Sequence, residues 1–479
     1  MRFIIFILIL ISMAHSALSD ELYDAEINLI KNACKNNDFS SKYLDNLDIE
    51  KFIKSEIENE YVFISLDECL DVALKNNFDI QISNHDYKYY NYDYQNALSK
   101  FLPILSINSY ITDYRGQILI GDVLSDDLHE TAISVSFEAR HDLTQGGKQI
   151  FEAKAKKYYS KSKKHNYNYT KSQVLYLAVK YYYELLLAKI NIEIYLRNLI
   201  ERNAQLKLAT NLKAVGFGSQ FDVIRSKTES AQAKANLMKA LNEFRKSQVK
   251  LANLMGIDTK TALMPFERTV EPFNLVDNTK DVDYFFDLAL KNREDLKNYK
   301  SLINYNKQIK NVYLTEFIPK PYITYHQEFQ GTLETGIRPN YQLGAYIDWI
   351  PGQNIAFGTI TKLKAQKEQI KKSILTFQNM LRKIQEEIIG AYSTSSFNKK
   401  IMEIAKRRVD YSLESIQLAM YRFNNGQGIL LDVIQAQTEM TQSRVEYVNS
   451  IIRYNVSQAE LLYTTGTINK DILIQNYKP

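Results

Sequence analysis

Glycine and proline, the residues that most often interrupt helices and strands, are scarce in this chain. The 479 residues include 16 glycines and 8 prolines, so few turns are expected and the elements between them are predicted to be long. Cysteine is also rare, with only Cys34 and Cys69. The two thiols could pair in an exported chain, but Cys69 shares one helical face with Leu66 and Leu70, which favours a buried thiol.

The signals of an enzyme are missing as well. No two of the six histidines have the spacing of metal ligands; they are His15, His85, His129, His141, His165 and His326. No glycine-rich phosphate loop follows a predicted strand, because Gly216 and Gly218 lie between helices. The sequence therefore predicts a protein without catalytic residues, a metal site or a cofactor.

The chain has no long uncharged segment after its N-terminal region. The best candidate, residues 174–187, contains Lys180 and Glu184, and a transmembrane helix needs about 18 apolar residues. No transmembrane helix is therefore predicted in the mature chain. The N-terminus has a basic Arg2, an apolar run over residues 3–11 and then small residues. This order is typical of a secretory signal peptide, which we place at residues 1–19.

The composition provides enough apolar material for a sizeable core. Hydrophobic residues make up 45% of the chain and aromatic residues 12%, so wholesale disorder is not indicated. The net charge of +5 is spread over helical stretches that also contain Glu and Asp. This distribution favours solvated helix faces over a nucleic-acid-binding surface.

A sequence pattern that occurs twice is the most informative feature. Residues 216–229 read Gly-x-Gly-x-x-x-Asp-Val-Ile and then Thr-Glu, and residues 426–439 repeat this pattern at an offset of 210. The register still holds at Gly256 and Gly466. A chance match would not stay aligned over the length of a helix.

A second pair of matches begins each half of the chain. Ala-Leu-Lys-Asn at 73–76 and Phe-Leu-Pro at 101–103 recur as Ala-Leu-Lys-Asn at 289–292 and Phe-Ile-Pro at 317–319, at an offset of 216. Because the offset falls from 216 to 210, the segment between the two matching blocks must be shorter in the second half of the chain than in the first. Two long repeats argue against a solenoid of many short ones.

Between these landmarks the hydrophobic period changes from that of a helix to that of a strand. The pattern is helical over about residues 66–101 and is ended by Pro103. Apolar and polar residues then alternate, which predicts strands. We expect residues 104–112 to pair with 131–141, and residues 321–328 to pair with 341–350. Four strands of about ten residues have the length that crosses an outer membrane in a β-barrel, although a soluble hairpin would show the same alternation.

Long helices are predicted after each hairpin. No proline occurs from Lys148 to Lys213, so this stretch could form one helix of about 100 Å. In the last helix a coiled-coil seam is indicated by residues spaced alternately four and three apart. The seam consists of Ile434, Thr438, Thr441, Val445, Val448, Ile452, Asn455, Ala459 and Leu462.

The signal peptide, the twofold repeat, the element order and the Gly-to-Asp-Val-Ile turns together resemble the TolC-like outer-membrane efflux proteins. The resemblance covers about residues 62–468. It implies a mainly α protein with a membrane β-barrel, in which each protomer contributes four strands to one twelve-stranded barrel shared by a homotrimer. A long periplasmic coiled-coil barrel of helices continues from it. It also implies an outer-membrane exit duct that works passively with a periplasmic adaptor and an inner-membrane pump.

The resemblance and the repeats together give the expected organisation of the chain. After the signal peptide, residues 20–61 form an N-terminal extension that we leave unassigned. The first repeat spans residues 62–257, a linker follows at 258–280, and the second repeat spans 281–468. Residues 469–479 form a C-terminal tail.

The resemblance also assigns roles to residues in the two turns. The turns become the periplasmic tips that contact the adaptor, with Gly216, Gly218, Gly426 and Gly428. The pore constriction would be formed by Asp432, Asp222, Phe423, Phe221 and Gln435. Asp432 matches a carboxylate ring of the family, whereas Gln435, Phe423, Gly428 and Phe221 replace the second acid and the polar gate residues. Because both aspartates begin helices, a role as helix caps alone is equally open.

A periplasmic coiled-coil spacer without a pore is the alternative to a duct. The aromatic residues Tyr322, Tyr325 and Trp349 near the strand ends argue against it, since they would lie where an aromatic belt meets the membrane surface. The exported compound is left open, because ducts of this family serve drugs, metal ions or whole proteins according to the pump. The pump type, whether ABC, RND or MFS, is also left open.

Overall fold

The computed structural model describes residues 61–475, with short gaps. The gaps are residues 117–118, 121–122, 125–127, 268, 278–279, 333–335 and 350–356. The predicted signal peptide, the extension up to residue 60, Cys34 and the end of the tail at 476–479 lie outside the described residues.

The first half of the chain consists of short elements, a hairpin and two long helices. In order these are β1 (Val62–Ile64), α1 (Leu66–Asn76), α2 (Phe78–Ser99), β2 (Ile104–Gly116), β3 (Leu119–Ile120), β4 (Val123–Leu124), β5 (Leu128–Asp142), α3 (Lys148–Ala214) and α4 (Gln220–Leu254). The proline-free stretch thus forms one helix of 67 residues, about 100 Å long at 1.5 Å per residue. Turns of 3₁₀ helix occupy Thr144–Gly147 and, in the second half, Thr315–Phe317.

The second half repeats this order. Its elements are β6 (Leu263–Pro265), α5 (Val282–Asn292), α6 (Glu294–Leu314), β7 (Lys320–Thr332), β8 (Gly336–Asp348), α7 (Phe357–Asn424), α8 (Leu430–Thr464) and α9 (Lys470–Gln475). The first strand of each hairpin has 13 residues. The connection after β2 covers residues 117–127, whereas the connection after β7 covers only 333–335. The change of offset seen in the sequence therefore arises mainly in the hairpin connections.

The helical pattern near the start of the chain is interrupted at Asn77. This residue has φ −58° and ψ 128°, outside the helical region. Its side chain accepts a hydrogen bond from the Ile80 amide at 3.1 Å, which caps α2. It also donates to the Leu254 carbonyl at 2.8 Å. The sequence pattern did not indicate this break, because the partner that fixes it lies far away along the chain.

Arg293 occupies the equivalent break between α5 and α6. Its guanidinium donates to the Thr464 carbonyl at 3.0 Å, as Asn77 does to Leu254. It forms ion pairs with Asp295 and Glu387, both with an N–O distance of 2.7 Å, and it is only 4% exposed. In each repeat, the side chain at the break between the first two helices therefore hydrogen-bonds to the last residue of the helix that follows the turn.

The two hairpins join into one antiparallel sheet. Its strand order is β2-β5-β7-β8, so β5 and β7 bring the repeats together. Ile104 pairs with Arg140 in the first hairpin, and Lys320 pairs with Asp348 in the second. Both predicted hairpins are thus present. A separate parallel pair, β1 with β6, connects the start of the first repeat with the segment before α5.

The sheet has one apolar and one polar face. Because paired residues in a ladder share a face, the observed register places the odd-numbered residues of all four strands together. The odd-numbered face includes Leu105, Ile107, Ile111, Ile133, Val135, Phe137, Ile323, Phe329, Leu343 and Ile347. The even-numbered face includes Ser106, Asn108, Ser134, Ser136, Glu138, Arg140, Thr324, His326, Glu328 and Gln342. Many of the apolar side chains are exposed, Ile107 by 75% and Leu343 by 72%.

The three aromatic residues expected at the strand ends do not lie on one face. Tyr325 is on the apolar face, and Trp349 follows directly after β8 with 61% of its surface exposed. Tyr322 is on the polar face, where it stacks on Tyr346 at 5.2 Å and lies 4.0 Å below the Arg140 guanidinium. Tyr322 therefore does not share a face with Tyr325, because the register turns even-numbered residues to the other side of the sheet.

The main hydrophobic core lies beside the middle of α3. It includes residues of α1, α3, α5 and the ends of α4 and α8. Cys69 is fully buried in it, as expected, and burial raises the pKa of its thiol. The hydroxyl of Tyr182 donates to Glu267, whose pKa is raised by burial to about 7. In the part of the chain that the structure describes, none of the helices combines the length and apolar character needed to cross a membrane.

The predicted seam of α8 packs against two different partners. Near the start of the helix, Thr438 and Thr441 accept hydrogen bonds from α3. Near its end, Asn455 donates to the Glu271 carbonyl at 3.0 Å and accepts from the Phe273 amide at 3.3 Å. The upper part of the seam therefore contacts an extended segment of the predicted linker, which explains the Asn in an otherwise apolar position.

Candidate functional site at the two helix turns

The two repeated turns have the same backbone geometry. In the first, the Phe217 amide donates to the Leu212 carbonyl at 2.9 Å, and Gly216 has φ +83°. In the second, the Gln427 amide donates to the Arg422 carbonyl at 2.9 Å, and Gly426 has φ +69°. This is the helix-ending motif in which a left-handed residue lets the chain reverse, and glycine adopts that conformation without a steric penalty.

Gly218 and Gly428 are required for a different reason. Neither has a positive φ, but a β-carbon at Gly218 would lie 2.9 Å from the Lys213 amide nitrogen. A β-carbon at Gly428 would lie 3.1 Å from the Phe423 amide nitrogen. In both cases the neighbour is backbone at the end of the preceding helix, which cannot move aside without opening the turn. The four predicted glycines therefore divide into two that reverse the chain and two that allow its close approach.

The helices that follow the turns begin differently. Asp222 forms a capping box with Ser219: its carboxylate accepts from the Ser219 amide at 3.2 Å and from the hydroxyl at 2.6 Å. At the corresponding position of the second repeat, Ile429 has no side-chain acceptor, and α8 has no side-chain cap. Asp432 is exposed, and among the described residues its carboxylate makes no hydrogen bond or ion pair. The two aspartates, equivalent in sequence, are therefore not equivalent in structure.

The two turns lie side by side and enclose a cleft of about 340 Å³. Of the predicted residues, the cleft brings together Gly218, Phe221, Asp222 and Phe423. Its remaining lining residues are Ala209, Leu212, Phe217, Arg225, Ile429, Leu430 and Leu431. The lining is thus largely apolar, and Phe221 and Phe423 face the same space.

The other predicted residues lie outside this cleft. Asp432 lies in the first turn of α8, and Gln435 donates to Glu439 at 3.2 Å along the surface of the same helix. Gly216, Gly426 and Gly428 belong to the turns but do not line the cleft. The turns also present exposed apolar side chains: Phe217 is 86% exposed and Phe221 68%. Large exposed aromatic groups close together are typical of a surface that contacts another protein.

A polar layer between α3 and α8, which the sequence analysis missed, lies above the cleft. Arg202 is 3% exposed and donates to the Ile434 carbonyl at 3.2 Å and to the Thr438 hydroxyl at 2.6 Å. Asn198 donates to Thr441 at 3.0 Å. Gln205 and Gln437 are also hydrogen-bonded.

Burial lowers the pKa of Arg202, although a guanidinium keeps its charge in proteins. In this layer the buried positive charge of Arg202 is therefore hydrogen-bonded to uncharged groups. These bonds fix the register of α3 against α8 near the turns. The only signal in the sequence was the presence of two threonines in the seam. In the described ranges, no group of three or more His, Cys, Asp and Glu side chains is placed to hold a metal ion.

The first repeat is similar to a known protein family. Residues 69–257 match the family described as outer membrane efflux protein. This confirms the resemblance that the repeated turns indicated. No curated protein matches the sequence.

Solved structures extend the similarity to most of the chain. The outer-membrane channel OprN superposes with a TM-score of 0.72 at 16% identity, covering 84% of this chain and 90% of OprN. The CmeC outer membrane channel of Campylobacter jejuni gives 0.75 at 15% identity, over 84% of this chain and 85% of CmeC. The open state of the MtrE outer membrane channel of Neisseria gonorrhoeae gives 0.70 at 15%, over 84% and 88%. At these identities the comparison establishes the fold.

Proposed function

We propose that this chain, which has the fold of outer-membrane channels and matches the outer membrane efflux protein family in its first repeat, is a passive outer-membrane exit duct. It would serve a tripartite efflux or type I secretion system. The observation that carries the proposal is the sheet with one exposed apolar face and one polar face. An apolar outer face suits lipid and a polar inner face suits a water-filled lumen, which is the alternation expected of outer-membrane strands.

The open edges of the sheet support a trimer. Among the described residues, β2 and β8 each pair with one strand, so both edges of the sheet carry unpaired backbone groups. In a bilayer such groups must be paired, which requires a closed barrel. Four strands are too few to enclose a pore. Three copies joined edge to edge would give the twelve-stranded barrel.

The long helices suit a duct that reaches into the periplasm. α3 and α7 have 67 and 68 residues, so each extends about 100 Å from the sheet. The turns at their far ends, with Gly216, Gly218, Gly426 and Gly428, would contact the periplasmic adaptor. The adaptor in turn would connect the duct to an inner-membrane pump, so that energy is supplied by the pump and not by this chain.

The proposal is tested by isolating the protein from outer membranes in mild detergent. A trimer by native mass measurement, together with single-channel conductance in planar bilayers, is the expected result. A monomer, or a protein recovered with the inner membrane, would contradict the proposal. A trimer without conductance would indicate the periplasmic spacer. Comparing a deletion strain with its parent for drug sensitivity, metal sensitivity and secreted proteins would then identify the exported class.

We further propose that Asp432 forms a carboxylate ring at the constriction. Three unpaired carboxylates brought near one axis favour cations in a pore. Replacing Asp432 by Ala should therefore shift the reversal potential in a salt gradient towards zero. Asp222→Ala is the matched control: it removes a capping box, at a cost of about 1 kcal/mol, and should change ion selectivity much less. An unchanged reversal potential in Asp432→Ala would show that this carboxylate does not select ions and acts only as a charge at the start of the helix.

We expect the apolar cleft to stabilise the closed state of the constriction. Phe423 is half-buried and lines the cleft between the turns together with Phe221, and both occupy positions at which the resemblance places polar gate residues. An apolar constriction can close a pore by dewetting. We therefore expect Phe423→Ala to raise the resting conductance severalfold, and Phe423→Leu to raise it less. Equal conductance of Phe423→Ala and the parent protein would exclude Phe423 from the gate.

A further inference from the structure

A run of lysines without acidic residues marks the upper part of α3. Between Glu152 and Glu184 the chain contains eight lysines and no Asp or Glu. Lys156 and Lys163 face α2, where they pair with Asp93 at 2.6 Å and Asp86 at 3.1 Å. The acid-free run is thus only partly neutralised by a neighbouring helix.

Four other lysines lie on the opposite side of α3. Lys154, Lys157, Lys161 and Lys164 are spaced three, four and three residues apart, so they share one helix face. All four are exposed, and none has a carboxylate partner among the residues that the structure describes. A stripe of unpaired cations costs free energy through mutual repulsion, which an anionic partner would offset.

The neighbouring helices carry lysines at the same height. In the second repeat, Lys364, Lys367 and Lys371 of α7 are exposed at positions 210 residues after Lys154, Lys157 and Lys161. Only Lys371 has a carboxylate partner, Glu368 at 2.8 Å, and both groups of this pair are exposed. The basic stripe is therefore present in both repeats.

The helix between them, α6, adds exposed Lys300 and Lys307. It is level with both stripes, because the Tyr305 ring lies 5.1 Å from that of Tyr159 in α3 and the Asn306 amide donates to Ser373 in α7 at 2.9 Å. These lysines of α3, α6 and α7 are called the lysine belt below.

The belt of α3 is turned away from both neighbours of that helix. Contacts to α2 pass through Lys156 and Lys163, and the contact to α6 passes through Ser162, whose hydroxyl lies 2.5 Å from Asn298. In a closed ring of helices, a face directed away from both flanking helices is the outer one. This step rests on the trimeric duct proposed above. In that assembly the four belt lysines of α3 lie on the outside of the helical barrel in every protomer.

We propose that the lysine belt binds the carboxylate-bearing glycan–peptide polymer of the cell wall. The α3 part of the belt begins six residues into the helix, at Lys154, and continues to Lys164, so it covers about 15 Å along the helix axis. A bilayer surface lies across this axis and would reach only the first lysine. A crosslinked anionic polymer that surrounds the duct can contact the whole stripe on every protomer. Such contact would hold the duct at a fixed height in the periplasm.

The test uses the full-length trimer in detergent and purified cell-wall sacculi. We expect the parent protein to sediment with sacculi, to be released at high salt because exposed charges are screened, and to lose binding when the sacculus carboxylates are amidated. Lys154→Gln, Lys157→Gln, Lys161→Gln and Lys164→Gln combined should reduce the bound fraction severalfold. The control combines Lys239→Gln, Lys260→Gln, Lys400→Gln and Lys406→Gln, which neutralise lysines nearer the turns or the core.

Three outcomes would overturn the inference. They are equal sedimentation of the belt variant and the parent, equal loss in the control variant, and binding to vesicles of phosphatidylglycerol and phosphatidylcholine in equal parts without binding to sacculi. Single-channel conductance of the belt variant separates this inference from the proposed function. If the belt variant conducts ions and sediments with sacculi as the parent protein does, only the cell-wall binding of the belt is disproved. If the parent protein does not conduct ions, the proposed duct function is disproved.

Discussion

Replacing Gly428 by valine is expected to abolish export while the assembled protein stays in the outer membrane. A β-carbon at this position would lie 3.1 Å from the Phe423 amide nitrogen and 3.2 Å from the Arg422 β-carbon. Two further methyl groups must therefore push the end of α7 away from the start of α8, at a typical cost of 1–3 kcal/mol, on the order of other overpacked sites. The strain falls at the turn, far from the sheet and the core.

Gly218→Val should have at least as large an effect, since its β-carbon would lie 2.9 Å from the Lys213 amide nitrogen. Gly390→Val is the matched control: Gly390 is exposed within α7, and nothing lies within 4 Å of its β-carbon position. Export by whole cells and trimer content of outer membranes would be measured for all three. Normal export by Gly428→Val, or loss of its trimer, would show that the turns are not the adaptor-contacting tips.

Replacing Arg293 by alanine is expected to destabilise the protein strongly. The change leaves the Asp295 carboxylate, 6% exposed, without its ionic partner and removes the bond to the Thr464 carbonyl. Removing one member of a buried ion pair typically costs about 3–5 kcal/mol. The expected result is a markedly lower midpoint of thermal unfolding, followed by circular dichroism of the purified protein.

Two further variants test the cause of this loss. Arg293→Ala combined with Asp295→Ala should recover part of the stability, because no unpaired buried carboxylate then remains. Lys246→Ala removes an exposed pair with Glu243 and should change the midpoint little, since such pairs contribute about 0.2–1 kcal/mol. A similar midpoint of thermal unfolding for Arg293→Ala and Lys246→Ala would mean that packing alone, and not the ion pairs, stabilises the break between α5 and α6.

Features that depend on neighbouring residues were predictable from the sequence. The alternation in the four strands, the proline-free stretch of α3 and the glycines of the turns each follow from a local constraint. The seam of α8 was predictable as a pattern, but its partners were not. Asn455 contacts an extended segment and Thr438 contacts a buried arginine, and a heptad pattern does not distinguish a helix from any other partner.

The difference between Asp222 and Asp432 illustrates the same limit at the candidate site. Both occur in the same repeated sequence, so the sequence analysis gave them the same possible roles. The residue three positions earlier decides between them: Ser219 can form a capping box, whereas Ile429 cannot. This difference is readable from the sequence once the helix starts are known. The sequence predicted that both aspartates begin helices but did not fix the capping residue of each helix, Ser219 or Ile429.

The sequence by itself determined the twofold repeat, the order of elements and the residues that allow the turns, because each depends on backbone preference or side-chain period over a short stretch. Only the tertiary structure decided which side chains meet: Arg202 with Thr438, Arg293 with Asp295 and Glu387, and the lysines of three helices at one height. Such contacts depend on the rotation and axial position of long helices relative to one another. Those are set by packing summed over the whole interface, and no local pattern encodes them.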